Sequence, residues 1–289
     1  MIERVLIPAA GLGSRLLTVT KEQPKEMLPI FDVGSNHRLV VKPTIQMIFE
    51  QLYDLGIREF FFIVGRGKRA LEDHFTPDYN YVEELVNRGK DELANELVEF
   101  YRRVEGSVIT WVNQPSPLGF GHAVLLFKPL AKKEPFLVHA GDTYIASENG
   151  DHVMRLIKSF DRSGCSAALL LQRVEDPKEY GVAIVDDGEG LMDVRRVVEK
   201  PKVPPSNMAI MPIYVFEYEI FRALEGIGPG VGGELQLTDG IQKLIEWGKR
   251  VIAVRLKDDE VRLDVGNPQS YWEALRTSYD LSRDKSTSR

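Results

Sequence analysis

The chain has 289 residues, of which 43% are hydrophobic, 28% charged and 9% aromatic, a composition typical of globular proteins with a sizeable core. This composition excludes an extensively disordered, collagen-like or coiled-coil protein. The formal charge of −6 has the wrong sign for general attraction to nucleic acid or to an anionic membrane, so we expect neither as a partner.

Cysteine content and hydropathy bear on the cellular compartment. A single cysteine, Cys165, excludes an intramolecular disulfide, and its position before an apolar run predicts a buried structural thiol. The longest apolar runs, such as 60–64 and 167–171, are too short to cross a bilayer, and residues 1–8 lack the pattern of a signal peptide. We therefore expect a cytoplasmic protein.

The first half of the chain alternates predicted strands and helices. A short apolar run at 5–7 leads into a loop of small residues, and apolar residues spaced three or four apart after Pro43 predict an amphipathic helix that ends at Gly56. A buried strand at 60–64 completes a βαβ unit. The alternation continues with a charged helix, a strand, a helix and a strand, at 81–103, 108–112, after Gly121 and at 136–139.

The second half is richer in predicted strands. Candidate strands lie at 167–171, 182–185, 194–199, 213–216 and 251–256, and candidate helices at 152–163, 218–224, 239–247 and 268–281. The polar tail, 282–289, is expected to fray. No internal repeat or low-complexity linker divides the chain, so we predict a single α/β domain over residues 1–281. In such sheets, ligands bind at the carboxyl ends of parallel strands.

A glycine loop follows the first predicted strand. In Gly11-Leu12-Gly13-Ser14-Arg15 the glycines let backbone N–H groups approach a polyphosphate, and Arg15 and Lys25 offer positive charge. A dinucleotide fingerprint requires Gly or Ala where Leu16 stands, and the Gly-Lys-Ser/Thr of a P-loop is absent from the sequence. By itself, the loop is equally compatible with a tight turn after a core strand.

Several motifs together carry a resemblance to a known family. Ala9-Ala10-Gly11-Leu12-Gly13-Ser14-Arg15 with Pro24-Lys25-Glu26-Met27-Leu28-Pro29 closely resembles the signature of bacterial and archaeal UTP-glucose-1-phosphate uridylyltransferases, and more broadly of sugar-1-phosphate nucleotidylyltransferases. Further matches follow in order at 119–124, 180–182, 198–202, 205–210 and 234–239. The resemblance extends from Val5 to about Tyr279.

The resemblance implies a Rossmann-like three-layer α/β/α nucleotidyltransferase fold with a mixed, mainly parallel central sheet. Residues 1–142 would bind nucleotide, and residues 143–281 would bind sugar phosphate. The implied reaction is the Mg²⁺-dependent transfer of a uridylyl group from UTP to α-D-glucose 1-phosphate, giving UDP-glucose and pyrophosphate by in-line attack at the α-phosphorus. Such chemistry requires charge neutralisation and orientation rather than a protein nucleophile. A homo-oligomer, either a dimer or a tetramer, is implied as well.

Site residues follow from the same resemblance. Arg15, Lys25 and Lys200 are the implied catalytic cations, and Asp142 and Asp264 the implied Mg²⁺ ligands, carboxylates being donors that this ion prefers. Gln114 is the implied base-reading residue, since its amide both donates and accepts. The implied nucleotide-binding residues are Ala10, Gly11, Gly13, Arg15, Lys25, Gln114 and Gly119, and the sugar-phosphate-binding residues are Asp142, Gly181, Glu199 and Lys200. We assign no catalytic role to His122 or His139, because structural histidines are commoner at such positions.

Three features set the chain apart or need explanation. Adjacent strand residues point to opposite faces, so Glu199 and Lys200 can share a site only if the strand end bends, for which Pro201 offers a cause. Residues 33–41 resemble an insertion, which predicts either a longer hairpin near the substrate loops or a surface extension. Pro212 has no N–H and cannot donate a backbone hydrogen bond to a substrate.

Three alternative functions stay open. A glucose-1-phosphate thymidylyltransferase that uses dTTP would differ by a methyl-sized pocket, worth only about 1–3 kcal/mol, and segments 139–142 and 263–266 resemble thymidylyltransferases. A non-catalytic nucleotide-sugar-binding regulator of the same fold would have little need for the two aspartates. A nicotinamide-dependent oxidoreductase is disfavoured by Leu16.

Overall fold

The computed structural model describes residues 2–186 and 191–287. The strands in these ranges are β1 (Arg4–Pro8), β2 (Pro29–Val33), β3 (Leu39–Pro43), β4 (Glu59–Val64), β5 (Val108–Asn113), β6 (Phe136–His139), β7 (Thr143–Ala146), β8 (Ala167–Arg173), β9 (Gly181–Val185), β10 (Leu191–Glu199), β11 (Met208–Phe216), β12 (Val251–Arg255) and β13 (Val261–Asp264). The α-helices are α1 (Thr44–Asp54), α2 (Arg69–His74), α3 (Tyr79–Asn87), α4 (Asp91–Glu105), α5 (Phe120–Leu126), α6 (Asp151–Ser163), α7 (Glu219–Glu225), α8 (Leu237–Glu246) and α9 (Pro268–Thr287).

The central sheet has nine strands in the order β5-β4-β1-β6-β11-β8-β12-β10-β9. Strands β5, β4, β1 and β6 are parallel neighbours, and β8 and β12 form a second parallel pair. Strands β10 and β11 pair antiparallel with each of their neighbours, so the other strands of the sheet share one direction. The prediction of a mixed, mainly parallel sheet is confirmed.

Helices cover both faces of the sheet. Because side chains alternate along a strand, Val5 and Ile7 of β1 enter one buried core while Leu6 enters the other. The first core includes residues of α1, α2, α3, α4 and α6, and the second includes residues of α5, α7 and α8. The predicted three-layer α/β/α arrangement is therefore confirmed. Cys165 is buried in the first core, as predicted.

Two helix predictions differ from the structure. The helix predicted at 81–103 is two helices, α3 and α4, because Gly89 adopts a left-handed conformation (φ +67°) that ends the first of them. The helix predicted to end at 281 continues to Thr287, and buried Ser278 and Ser282 show that its inner face still packs on the protein. Residues 282–287 are therefore helical rather than an irregular tail, and 288 and 289 lie outside the described residues. No α-helix within the described ranges is both long and apolar enough to span a bilayer.

Residues 33–41 complete a β2–β3 hairpin whose tip is attached to α4. The N–H and hydroxyl groups of Ser35 donate to Glu96 Oε1 at 2.5 and 2.7 Å, and Asn36 Nδ2 donates to Glu92 at 3.2 Å. Strand β2 packs on α9, where the Ser278 hydroxyl accepts from the N–H of Phe31. The segment is thus a hairpin, docked on the protein surface.

Candidate active site

A cavity of about 910 Å³ opens at the carboxyl ends of β1, β5 and β6. This is the edge at which parallel α/β sheets bind ligands. The cavity is lined by every residue that the sequence assigned to binding or catalysis, namely Ala10, Gly11, Gly13, Arg15, Lys25, Gln114, Gly119, Asp142, Gly181, Glu199, Lys200 and Asp264. The fold therefore brings together residues from both halves of the chain.

The two aspartates approach each other because β7 and β13 form a small antiparallel sheet. Asp142 directly precedes β7, and Asp264, the last residue of β13, pairs with Thr143. The N–H of Val265 donates to the Asp142 carbonyl at 3.1 Å, and the N–H of Gly266 donates to Asp264 Oδ1 at 2.7 Å. Burial, and then the charge of Asp142, raises the pKa of Asp264. A cation between the two carboxylates would relieve this repulsion.

These carboxylates fit a hard divalent cation such as Mg²⁺. They come from two distant segments of the chain, offer oxygen donors and line an open cavity. Within the described ranges, no group of three or more histidine, cysteine, aspartate or glutamate side chains is arranged to hold a metal ion. Further ligands would come from substrate or water, which is common for Mg²⁺.

Lys25 contacts one of the two aspartates. Its Nζ donates to Asp142 Oδ2. Burial opposes the lysine charge, but the carboxylates of Asp142 and Glu26 outweigh it and raise the pKa of Lys25. Glu26 in turn forms a buried ion pair with Lys68 at 2.8 Å. Lys25 is therefore a permanent cation in a defined position.

Arg15 and Lys200 are the other implied cations, and both are exposed in the cavity. Neither has an ion-pair partner in the part of the chain that the structure describes. The Arg15 guanidinium lies close to Gly266, beside Asp264: its Nη2 is 3.5 Å from the position that a Cβ on Gly266 would occupy. Two unpaired cations facing one cavity favour binding of a polyanion.

The end of β10 is bent, as the sequence predicted. Strand β10 ends at Glu199, and Lys200 has a left-handed backbone (φ +39°) while its N–H still donates to the Tyr180 carbonyl at 3.0 Å. This conformation breaks the alternation of side chains, so both Glu199 and Lys200 line the cavity. Pro201 restricts the conformation of Lys200 further. A non-glycine residue in this region is strained by roughly 1–2 kcal/mol.

Glu199 is held by a residue that the sequence analysis did not assign. The Thr238 hydroxyl donates to Glu199 Oε2 at 2.6 Å. Burial raises the pKa of Glu199, and this hydrogen bond opposes the shift. Gly181 lies against both side chains, since an added Cβ would be 2.9 Å from Thr238 Oγ1 and 3.1 Å from Glu199 Oε2. Membership of the matched motif 234–239 was the signal that could have identified Thr238.

Tyr180 and Arg262 form a second unassigned pair on the cavity wall. Arg262 Nη2 donates to the Tyr180 hydroxyl at 2.7 Å, and the guanidinium carbon lies 4.9 Å from the ring centroid. Arg262 precedes Asp264 by two residues on β13, and this spacing places both side chains on one face of a strand. The pair therefore links the strand of Asp264 to the segment that precedes Gly181.

Pro212 and the two histidines His139 and His122 have contacts within the protein near the cavity. Pro212 lines the cavity, and its carbonyl accepts from the N–H of Ala140 at 2.9 Å. The His139 ring is fully buried, with Nδ1 donating to the Ala140 carbonyl at 2.8 Å. His122 is half-buried, and its Nδ1 is 2.8 Å from Gln114 Nε2.

Gly119 joins the Gln114 loop to the segment at 234–239. Its φ of +102° favours glycine, and a Cβ at this position would lie 2.7 Å from both Glu234 Cβ and the Leu235 carbonyl oxygen. The neighbouring backbone is paired as well, because the N–H of Leu235 donates to the Leu118 carbonyl at 2.8 Å. The loop between Gln114 and Gly119 is thus anchored to the segment that also carries Thr238.

We expect Gly119→Ala to lower the free energy of unfolding by roughly 3 kcal/mol, since it adds overpacking to backbone strain. Gly89→Ala is the matched control: Gly89 also has a positive φ (+67°), but nothing lies within 4 Å of an added Cβ. That variant should lose only about 1 kcal/mol. Urea unfolding of both variants measures the difference. Equal losses of unfolding free energy would show that the close contacts around Gly119 do not add to the cost of the substitution.

Comparison with known proteins agrees with this geometry. The model of the nucleotidyl transferase family matches residues 4–280. A UTP-glucose-1-phosphate uridylyltransferase of Pseudomonas aeruginosa is 36% identical over 285 residues, covering 97% of each chain. One of Bacillus subtilis is 38% identical over 270 residues, covering 92% of this chain and 87% of the relative.

Solved structures show the same similarity. A UDP-glucose pyrophosphorylase complexed with UDP-glucose superposes with a TM-score of 0.83 at 32% identity, covering 97% of this chain and all of the other. A UTP-bound UGPase from Acinetobacter baumannii superposes with a TM-score of 0.81 at 25% identity, with both chains fully covered. The resemblance inferred from the motifs is confirmed, and because the family model and the relatives span nearly the whole chain, the protein belongs to the nucleotidyl transferase family.

Proposed function

We propose that the protein transfers a uridylyl group from UTP to α-D-glucose 1-phosphate, giving UDP-glucose and pyrophosphate with the help of Mg²⁺. The observation that carries this proposal is that one cavity is lined by the cations Arg15, Lys25 and Lys200 and by both aspartates, Asp142 and Asp264. Two polyanions can be brought together where cations and a metal site converge. The names of the relatives, and the UDP-glucose bound to a related structure, support the choice of substrates.

In this proposal each residue has a role that follows from its charge and place. Backbone groups of Ala10, Gly11 and Gly13 bind the triphosphate, and Arg15 and Lys25 neutralise its charge and that of the departing pyrophosphate. Asp142 and Asp264 hold Mg²⁺, which contributes further neutralisation of phosphate charge when bound.

On the sugar side, Lys200 orients the phosphate of glucose 1-phosphate, and Glu199 accepts hydrogen bonds from sugar hydroxyls. Gly181 leaves room for the hexose. Gln114 and Gly119 bind the base. The attacking phosphate oxygen is already anionic at neutral pH, so orientation replaces a general base.

Pyrophosphate release from purified protein tests the proposal. UTP, dTTP, CTP, ATP and GTP are each paired with glucose 1-phosphate, with and without Mg²⁺. Release that is strongest with UTP and requires Mg²⁺ supports the proposal, whereas a preference for dTTP identifies a thymidylyltransferase. Binding of nucleotide sugar without any release would identify a regulator.

We expect Lys200→Ala and Lys200→Gly to raise the KM for glucose 1-phosphate by roughly 10- to 100-fold, the effect of losing a charged hydrogen bond. The two variants should differ in stability, because only glycine relieves the strained backbone at φ +39°. Lys200→Gly should be more stable than Lys200→Ala by about 1 kcal/mol. An unchanged KM in both variants would remove Lys200 from the phosphate site.

A further inference from the structure

The side-chain amide of Gln114 is held in one orientation. Its Nε2 lies 3.2 Å from the Gly119 carbonyl oxygen and 2.8 Å from His122 Nδ1. A carbonyl oxygen only accepts hydrogen bonds, so the atom that faces Gly119 is the amide nitrogen, and its second hydrogen points to His122. His122 Nδ1 must therefore accept, which requires the neutral imidazole with its proton on Nε2.

This orientation leaves Gln114 with a single group for a ligand. Both amide hydrogens are used inside the protein, and within the described ranges no donor bonds to Oε1. Gln114 is 5% exposed and lines the cavity. The residue thus presents to the cavity an oriented acceptor that is backed by two fixed partners.

An oriented acceptor distinguishes pyrimidine bases by the atom at N3. Uracil and thymine carry a hydrogen on N3 and can donate it to Gln114 Oε1. Cytosine has a lone pair at N3, which the same oxygen repels. A glutamine free to rotate by half a turn would instead offer its N–H₂ group to cytosine. Selectivity against cytosine therefore depends on what keeps the amide from rotating.

We propose that His122 is a positioning residue that sets base selectivity by fixing the Gln114 amide. His122 does not line the cavity, and it supplies the shorter of the two contacts to Nε2. Without it, the amide keeps only the 3.2 Å bond to Gly119. The inference rests on the proposed function in placing the base at Gln114, but it does not depend on turnover.

Two substitutions separate positioning from packing. His122→Phe keeps a ring but removes the acceptor, and His122→Asn can place its Oδ1 near the position of Nδ1. Titration calorimetry with UDP and with CDP measures the affinity ratio in the whole chain, and Gln114→Leu serves as the reference without an amide. We expect His122→Phe to weaken UDP binding roughly 5- to 10-fold and to reduce the UDP-to-CDP ratio, the effect of one hydrogen bond. His122→Asn should restore both values, and the kcat and the KM for glucose 1-phosphate should not change.

Each other outcome has a defined meaning. The inference is overturned if His122→Phe has the same UDP-to-CDP affinity ratio as the unmodified protein. It is also overturned if His122→Asn reduces this ratio as much as His122→Phe does. If His122→Phe does not fold, as judged by thermal unfolding, His122→Leu takes its place. Unmodified protein that prefers UDP but releases no pyrophosphate would refute the proposed function and leave this inference intact. Unmodified protein that binds UDP and CDP equally, or neither, would refute the inference itself.

Discussion

Asp264→Asn is expected to lower kcat/KM for pyrophosphate release by roughly 1000-fold, because losing the metal's charge stabilisation of the transition state costs several kcal/mol. The same change should raise the midpoint of thermal unfolding. Burial and the charge of Asp142 both raise the pKa of Asp264, which means that its ionised form is unfavourable in the folded protein. Asparagine removes that charge, while its Oδ1 can still accept from the N–H of Gly266. A more stable and inactive enzyme is the signature of a site built for a cation.

Asp259→Asn is the matched control, because Asp259 is exposed in the loop just before β13. It removes the same charge close by in sequence and should leave both activity and stability unchanged. Isothermal titration of Mg²⁺ gives a readout independent of turnover, and we expect weaker binding only in Asp264→Asn. Full activity of that variant at saturating Mg²⁺ would show that Asp264 does not bind the metal.

Local sequence patterns predicted most of the strands and helices, and the resemblance of short motifs to a known family predicted which residues line the cavity. Strand β1 and the glycine loop after it are contiguous, so an apolar run followed by glycines located the loop at the edge of the sheet. The bend after Glu199 was equally local, since it follows from strand geometry and from Pro201. The signal was weaker for β7 and β13, which are only four residues each.

Contacts between distant segments could not be predicted from spacing. The hydrogen bond from Thr238 to Glu199, and that from Arg262 to Tyr180, depend on how β9, β10, α8 and β13 are arranged in space. The contact of Gln114 with His122 spans eight residues, but it depends on where α5 begins after the turn at Gly119. Sequence reasoning therefore identified the groups that line the cavity better than the groups that orient them.

Acidification from pH 7 to pH 4 is expected to destabilise the protein through three histidines, of which His139 and His152 are buried and His74 is half-buried. Burial lowers the pKa of His74 and of His139 to about 4, and that of His152 to about 3. Well above pH 6.5 these rings are largely neutral in both the folded and the unfolded chain, so they contribute little pH dependence there. Below it, the unfolded chain binds protons that the folded chain does not, and the free energy of unfolding falls. For His74 alone the fall by pH 4 is roughly 3 kcal/mol.

His74→Gln isolates this effect away from the cavity. His74 Nε2 lies 3.0 Å from Gln46 Oε1, and a glutamine amide can make the same donation without titrating. Between pH 7 and pH 4 the variant should lose roughly 3 kcal/mol less unfolding free energy than the unmodified protein, as measured by urea unfolding at both values. His37→Gln, at an exposed position, should lose as much as the unmodified protein. A histidine that stays neutral in the folded protein affects stability only where the unfolded chain is protonated. Equal losses in His74→Gln and the unmodified protein would therefore mean that folded His74 accepts its proton as readily as the unfolded chain does.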